Sequence, residues 1–275
     1  MKLYMSDLDG TLLNQAAEIS YYTETQLNKM IDRGLAFTVA TARTAATVKS
    51  LLKNIHIRLP VILMNGVCIF DLQKDQYVSA AYIEQDARKN LVEIVRRFGL
   101  EGFYYTIEDN KLQTLYEKAT SSQAQSFMAE RINKFGKVFT QVRDAGICRD
   151  SGLVYYSISG QEDKLKPAWR AFKEDKRFNI EYYRDIYHHH HWYLEVSASS
   201  ASKYKASRYI KEQFGYSELI SFGDNLNDLP MFEASTFSCA VENARDEVKQ
   251  AASTVIGSNE ADGVVNWLNQ YADLG

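Results

Sequence analysis

The chain has 275 residues, 45% hydrophobic and 24% charged, with a formal net charge of -3, which suits one large or two modest domains around a sizeable core. Its lysines and arginines are dispersed rather than gathered into the basic stripe that a phosphate backbone requires, and nothing approaches eighteen consecutive apolar residues, so neither nucleic acid nor a membrane span is expected. Residues 1 to 20 carry two early acids and no long apolar run, which argues against export, and the widely spaced Cys68, Cys148 and Cys239 form neither a disulfide framework nor a zinc set, as suits a reducing cytoplasm.

In chain order, Leu3-Tyr4-Met5 opens a buried strand predicted from Leu3 to Leu8, which delivers Asp7 and Asp9 at the end where open α/β sheets place their ligands. A helix is predicted from Ser20, with Leu27, Met30 and Ile31 on one face and Gly34 as its stop. Leu35 to Ala40 reads as a second strand ending at Thr41-Ala42-Arg43, and a helix bearing Val48, Leu51 and Leu52 leads to a third strand, Val61 to Met64. Such alternation implies parallel pairing with right-handed crossovers, an α/β core. Asn65-Gly66 is a tight-turn dipeptide before a short returning strand, Val67 to Phe70.

Between residues 82 and 194 the texture becomes tyrosine-rich. Glu108-Asp109-Asn110 marks a hairpin, helices fit at 86–98, 127–135 and 165–172, and strands fit at 153–159, 178–184 and 192–196. The segment reads as an inserted α+β domain, with the core made of 1–81 and 195–275. Alternation resumes with a helix over 202–214, a strand over 219–222, the turn Gly223-Asp224-Asn225-Leu226-Asn227-Asp228, strands at 237–241 and 254–256, and a final helix near 264–271.

Four separated motifs now resemble one family, the haloacid dehalogenase-like hydrolases, in the Cof-like branch with a type IIB cap. They are Asp7-Leu8-Asp9-Gly10-Thr11, the strand-terminal Thr41, a lysine at a helix start near Ser202, and Gly-Asp-x-x-Asn-Asp at 223–228. The resemblance implies a doubly wound, Rossmann-like parallel sheet with an α+β cap, 82–194, that selects the substrate. Two positions depart from the pattern. Ala42 stands where glycine is usual between the threonine and arginine, and Tyr204 replaces the glycine after the Ser-Lys pair. The second departure keeps Lys205 beside Lys203 as a candidate, although two residues along a helix turn the side chain by roughly 200°.

The resemblance implies that Asp7 is the nucleophile of an aspartyl-phosphate, that Asp9 is acid and then base, and that Lys203 stabilises charge. Phosphoryl transfer relies on positioning and charge stabilisation, and Asp7, Asp9, Asp224 and Asp228 against one lysine would repel a phosphate, so a hard divalent cation is expected. By resemblance it is Mg2+, held by Asp7, the Asp9 carbonyl and Asp224, with Asp228 behind them. Thr41 and the Ala42 backbone, at an expected helix N-terminus, and Asn227 would bind substrate phosphate. Asp228 is equally read as a helix cap, Arg43 as a structural salt bridge ahead of a substrate contact, and Asn65 as a turn former first and a residue lining the site second. His188 and His190 would share one strand face, but with no nearby cysteine and few partner acids they read as a solvated cap hairpin rather than a metal site.

The function implied is a phosphomonoesterase for small phosphorylated metabolites, sugar phosphates first and then cofactor phosphates, in the cytoplasm, as a monomer or weak homodimer. A phosphomutase and a non-catalytic phosphometabolite sensor are the alternatives.

Overall fold

The computed structural model describes residues 1–184 and 191–272, apart from the Arg149 side chain, so His188 and His190 lie outside the described residues. The chain divides into two compact units, Met1–Ser79 with Ser202–Gly275 and Ala80–Ala201.

The first unit begins with β1 (Lys2–Ser6), α1 (Tyr21–Asp32), β2 (Ala36–Val39), α2 (Ala45–Leu51), β3 (Val61–Leu63), β4 (Cys68–Asp71) and β5 (Gln76–Ala80). The Ser20 hydroxyl caps α1 by accepting from Thr23 N–H at 2.9 Å, and Gly34 follows the helix at φ +104°, where glycine pays no Cβ penalty. The inserted unit contains α3 (Gln85–Arg97), β6 (Phe103–Glu108), β7 (Lys111–Tyr116), α4 (Ser122–Phe135), β8 (Thr140–Gln141), β9 (Leu153–Gly160), α5 (Glu162–Glu174), β10 (Phe178–Arg184) and β11 (Trp192–Ala198). The first unit resumes with α6 (Lys203–Gln213), β12 (Glu218–Gly223), α7 (Leu229–Ala234), β13 (Phe237–Val241), α8 (Asp246–Ala251), β14 (Thr254–Ile256) and α9 (Gly263–Tyr271).

The core sheet runs β14-β13-β12-β1-β2 and is parallel throughout. The internal strand β1, flanked by β12 and β2, is buried from Leu3 to Ser6, as expected of a parallel strand covered on both faces. The expected third core strand differs. β3 touches β2 through one parallel bridge, Ala40 to Ile62, and otherwise pairs antiparallel with β4. The chain turns at Met64–Gly66 directly after β3, which ends its run beside β2.

In the inserted unit the strand order is β10-β11-β9-β6-β7-β8. The β6–β7 turn puts Asp109 and Asn110 at φ +48° and +61°, the mirror-image turn that matches strand twist. Leu91 and Val95 of α3 and Leu165, Ala168 and Phe172 of α5 recur at helical spacing and pack with Tyr104, Tyr156, Ile158, Leu194 and Val196 of the sheet. The adjacent tyrosines divide between faces as strand geometry demands, since Tyr104 meets Tyr156 at 4.9 Å and Tyr105 meets Tyr155 at 5.6 Å. The expected domain boundary at 194/195 is corrected here. It cuts β11, whose pairing with β10 and β9 continues through Ser197 and Ala198, so 195–201 belong with the inserted unit.

Candidate active site

Several loops of the first unit meet beyond the C-terminal ends of β1, β2 and β12. Asp7 directly follows β1, is 5% exposed, and donates its N–H to Phe222 O of β12 at 2.9 Å. The chain then makes a wide turn over Leu8–Leu12, closed by Leu13 N–H to Leu8 O at 2.8 Å. Gly10 sits in this turn at φ +74°, and a Cβ there would lie 2.5 Å from Asp224 Oδ2. Only glycine lets the turn come so close. Thr11 completes the junction by donating its hydroxyl to Asp224 Oδ1 at 2.8 Å. Asn243 supports it by donating to Gly10 O at 2.7 Å, a contribution that sequence reasoning missed because nothing local marks a lone asparagine 233 positions away.

Of the two candidate lysines, Lys203 comes to the acids and Lys205 is exposed. Lys203 is 1% exposed and donates to Asp7 Oδ1 at 2.9 Å and to Asp228 Oδ1 at 2.7 Å. It is the first residue of α6, whose cap, Ser202, accepts from Lys205 N–H. Asp228 is fully buried and uses its other oxygen to accept from the N–H groups of Asp224 and Asn225 at 2.9 and 3.0 Å. Its side chain caps the short turn at 226–228 and anchors the lysine.

Thr41 is wholly buried, with its Oγ1 accepting from Arg43 N–H at 3.2 Å. Here an expectation is corrected: α2 begins only at Ala45, behind the bend at Ala42 and Arg43, so Thr41 and the exposed Ala42 do not form its first turn. Arg43 does form a salt bridge, and its partner is the candidate acid/base. Its Nε and Nη2 donate to Asp9 Oδ2 and Oδ1 at 2.7 and 2.5 Å, which restrains the Asp9 side chain. Asn227 donates its Nδ2 to Asn65 Oδ1 at 3.0 Å, while its own Oδ1 is buried without a hydrogen-bond partner. The Asn65-Gly66 turn signal carries no sign of this second attachment.

Asp7, Asp224 and Asp228 can each present a carboxylate oxygen within 4.8 Å of the others. Burial is the largest influence on Asp7 and raises its pKa well above the ordinary range. Lys203 opposes this rise, while Asp228, Asp224 and Asp9 reinforce it. Burial, followed by Asp228, pushes Asp224 up to about 7. Burial alone would lower Lys203, but Asp228 and Asp7 outweigh it and raise the lysine, which stays a cation. One ammonium thus leaves the carboxylates short of positive charge. An all-oxygen donor set with excess negative charge fits a hard divalent cation. Both Asp228 oxygens are already engaged, so Asp7 and Asp224 are the side chains with acceptor capacity for it.

The sequence model of the haloacid dehalogenase-like hydrolases matches residues 4–268. The chain belongs to this family. As a haloacid dehalogenase-like hydrolase it is 28% identical over 291 residues to the 5-amino-6-(5-phospho-D-ribitylamino)uracil phosphatase YwtE of Bacillus subtilis, with 98% of each chain covered. It is 24% identical over 272 residues to the pyridoxal phosphate phosphatase YbhA of Escherichia coli, with 96% of each covered. Among solved structures, TM0651 from Thermotoga maritima superposes with a TM-score of 0.80 at 23% identity, covering 98% of this chain and 97% of that one. The subclass IIB sugar phosphatase BT4131 gives 0.73 at 20% identity, with 98% of each covered. These structures share the fold, a parallel-sheet core with an inserted cap.

Proposed function

We propose that the protein is a Mg2+-dependent phosphomonoesterase that hydrolyses small phosphorylated metabolites through an aspartyl-phosphate on Asp7. The observation that carries this reading is the buried junction in which Lys203 bridges Asp7 and Asp228 while Thr11 holds Asp224 beside them. An arrangement serving only to bind phosphate would not need a buried carboxylate at its centre, because like charges repel. A nucleophile does.

In the first half-reaction an Asp7 carboxylate oxygen attacks phosphorus as the ester P–O bond breaks, and Asp9 gives its proton to the departing alkoxide. In the second, Asp9 takes a proton from water, the water oxygen attacks phosphorus, and the Asp7–phosphorus bond breaks to release phosphate. Asp9 lies outside the buried cluster, partly exposed, with its carboxylate oriented by Arg43. Lys203 holds Asp7 in place and opposes negative charge on the phosphoryl oxygens. Mg2+ held by Asp7, Asp224 and the Asp9 carbonyl would supply the positive charge that lets a phosphate dianion approach. Thr41 is proposed to donate its hydroxyl to a phosphoryl oxygen, with the Ala42 backbone and Asn227 completing the phosphate pocket.

The substrate class proposed is a phosphorylated sugar or polyol, with cofactor phosphates next. The relatives YwtE and YbhA are named for a phosphoribityl compound and for pyridoxal phosphate, both phosphate esters of small alcohols. The inserted unit, 80–201, is proposed to select among such leaving groups. The deciding assay is phosphate release from sugar, polyol, nucleotide and cofactor phosphates, with Mg2+ and with chelator, on wild type beside Asp7→Asn. Release that needs both Mg2+ and Asp7 is expected. Turnover undiminished in Asp7→Asn would overturn the assignment, and an isomeric phosphate in place of free phosphate would make the enzyme a mutase.

A further inference from the structure

Met64, Asn65 and Gly66 all have left-handed backbone, at φ +52°, +56° and +95°. One non-glycine residue there is uncommon and two in succession are disfavoured, so such a segment persists only where its surroundings over-determine it. Three sets of contacts do so. Met64 and Asn65 donate their N–H groups to Arg43 O and Thr41 O at 3.1 and 3.0 Å. Asn65 Oδ1 accepts from Asn227 in the loop that carries Asp224 and Asp228. Gly66 lies so close to the start of α6 that a Cβ would collide with the Ser202 carbonyl group and crowd Lys203 N.

We propose that Met64–Gly66 is a positioning strap for the candidate active site, in which Asn65 aligns the 223–228 loop through Asn227 and Gly66 seats the residue before Lys203. Neither residue touches the reacting atoms in this scheme. Asn65 acts through Asn227, and the strap sets the spacing at which Lys203 meets Asp7 on one side and Asp228 on the other. The parts it joins are remote in sequence, since Asn65 and Asn227 are 162 positions apart and Lys203 leads a different helix from the loop that holds Asp228. An asparagine serves here where glycine would serve the backbone better. Glycine adopts positive φ without penalty but has no acceptor for Asn227. The proposal rests on the phosphatase reading for its activity assay, and phosphate binding provides a separate measure.

The test uses Asn65→Gly, Asn227→Ala and the double variant in the full-length protein, with p-nitrophenyl phosphate hydrolysis, thermal melting and calorimetric titration of inorganic phosphate, all with Mg2+ present. Asn65→Gly should melt no lower than wild type, because left-handed strain is relieved, while kcat falls about 10- to 100-fold with KM changed less than about threefold. Asn227→Ala should lose a similar factor, and the double variant should be no worse than the poorer single, as for two residues acting as one unit. A wild-type kcat in Asn65→Gly, or losses that multiply in the double variant, would overturn the strap. Should Asn65→Gly melt early, the decision passes to Asn227→Ala, which leaves the strained backbone intact, and an undiminished kcat there overturns the proposal. Wild type that binds phosphate yet hydrolyses no ester contradicts the phosphatase reading alone. The strap is then judged by phosphate affinity, which must weaken in both single variants. No phosphate binding by wild type rejects both.

Discussion

The two units handle buried charge differently. In the core unit, Lys203 is paired with Asp7 and Asp228, and Asp228 is itself tied to two backbone N–H groups, so each charge is held by partners from separate loops. The inserted unit instead leaves single ionisable groups among tyrosines. Burial is the largest influence on Glu195 and raises it to about 7, with hydrogen bonds from Tyr155, Tyr183 and Ser157 opposing the rise and Glu181 adding to it. Glu195 Oε2 is buried without a partner. Burial and then Arg131 lower Lys137 to about 7, where its Nζ donates to Tyr105 OH at 3.3 Å. Lys203, facing two carboxylates, is raised and keeps its charge, whereas the half-buried Glu195 and Lys137 are both shifted toward their neutral forms.

The strongest way to break the comparison is Lys203→Met, which leaves Asp7 and Asp228 buried without their cation. Removing one partner of a buried pair costs about 3–5 kcal/mol, so a large drop in melting temperature is expected together with loss of phosphate release. A variant that melts like wild type would show that the core charges are not coupled as described. Next is Mg2+ itself. If Asp7 and Asp224 bind it in the folded state only, 100 times its dissociation constant should add about 2.7 kcal/mol to stability, read as a melting shift that chelator reverses and Asp224→Asn abolishes.

The smaller effect sharpens the cap side. Glu195 is raised from 4.5 to about 7, so the folded state holds its proton more tightly than the unfolded state. Its contribution is fully present below pH 4.5 and is lost as pH rises to about 7. Lys137 is lowered from 10.5 to about 7, so the unfolded state binds the extra proton and stability rises between about pH 7 and 10.5. The inserted unit should therefore be least stable near pH 7. Glu195→Gln should flatten the falling limb by roughly 1–2 kcal/mol, measured by hydrogen exchange of β9 and β11 amides across pH 5 to 8. An unchanged slope would remove Glu195 from the account.

Much of the fold was legible because its signals are local. Ser20 and Gly34 bound α1 through capping and left-handed geometry, Asp109-Asn110 turns β6 into β7, and the alternation of 178–184 and 192–196 appears as β10 and β11. Boundaries failed where local sequence is neutral. Ser197 and Ala198 continue β11 beyond its expected end at Val196 because their partners on β9 and β10 do, and Val61–Leu63 leaves the parallel sheet after one bridge because of the turn that follows. The strand β8 and the helices α7 and α8 are too short for periodicity to reveal, and β5, with no buried residue, lacks the apolar run that marks the core strands.

The same division runs through the candidate site. By itself the sequence determined which chemical groups are available and that they stand at strand ends and helix starts, since residue identity and short-range pattern are properties of a few neighbouring positions. Only tertiary structure decided that Lys203 rather than Lys205 reaches Asp7, that Arg43 meets Asp9, that Thr11 meets Asp224, and that Asn65 meets Asn227. Those pairs are 196, 34, 213 and 162 positions apart. Contacts over such separations depend on which strands lie side by side and how closely glycines let their loops approach, and neither is encoded in the residues on either side of any one member of the pair.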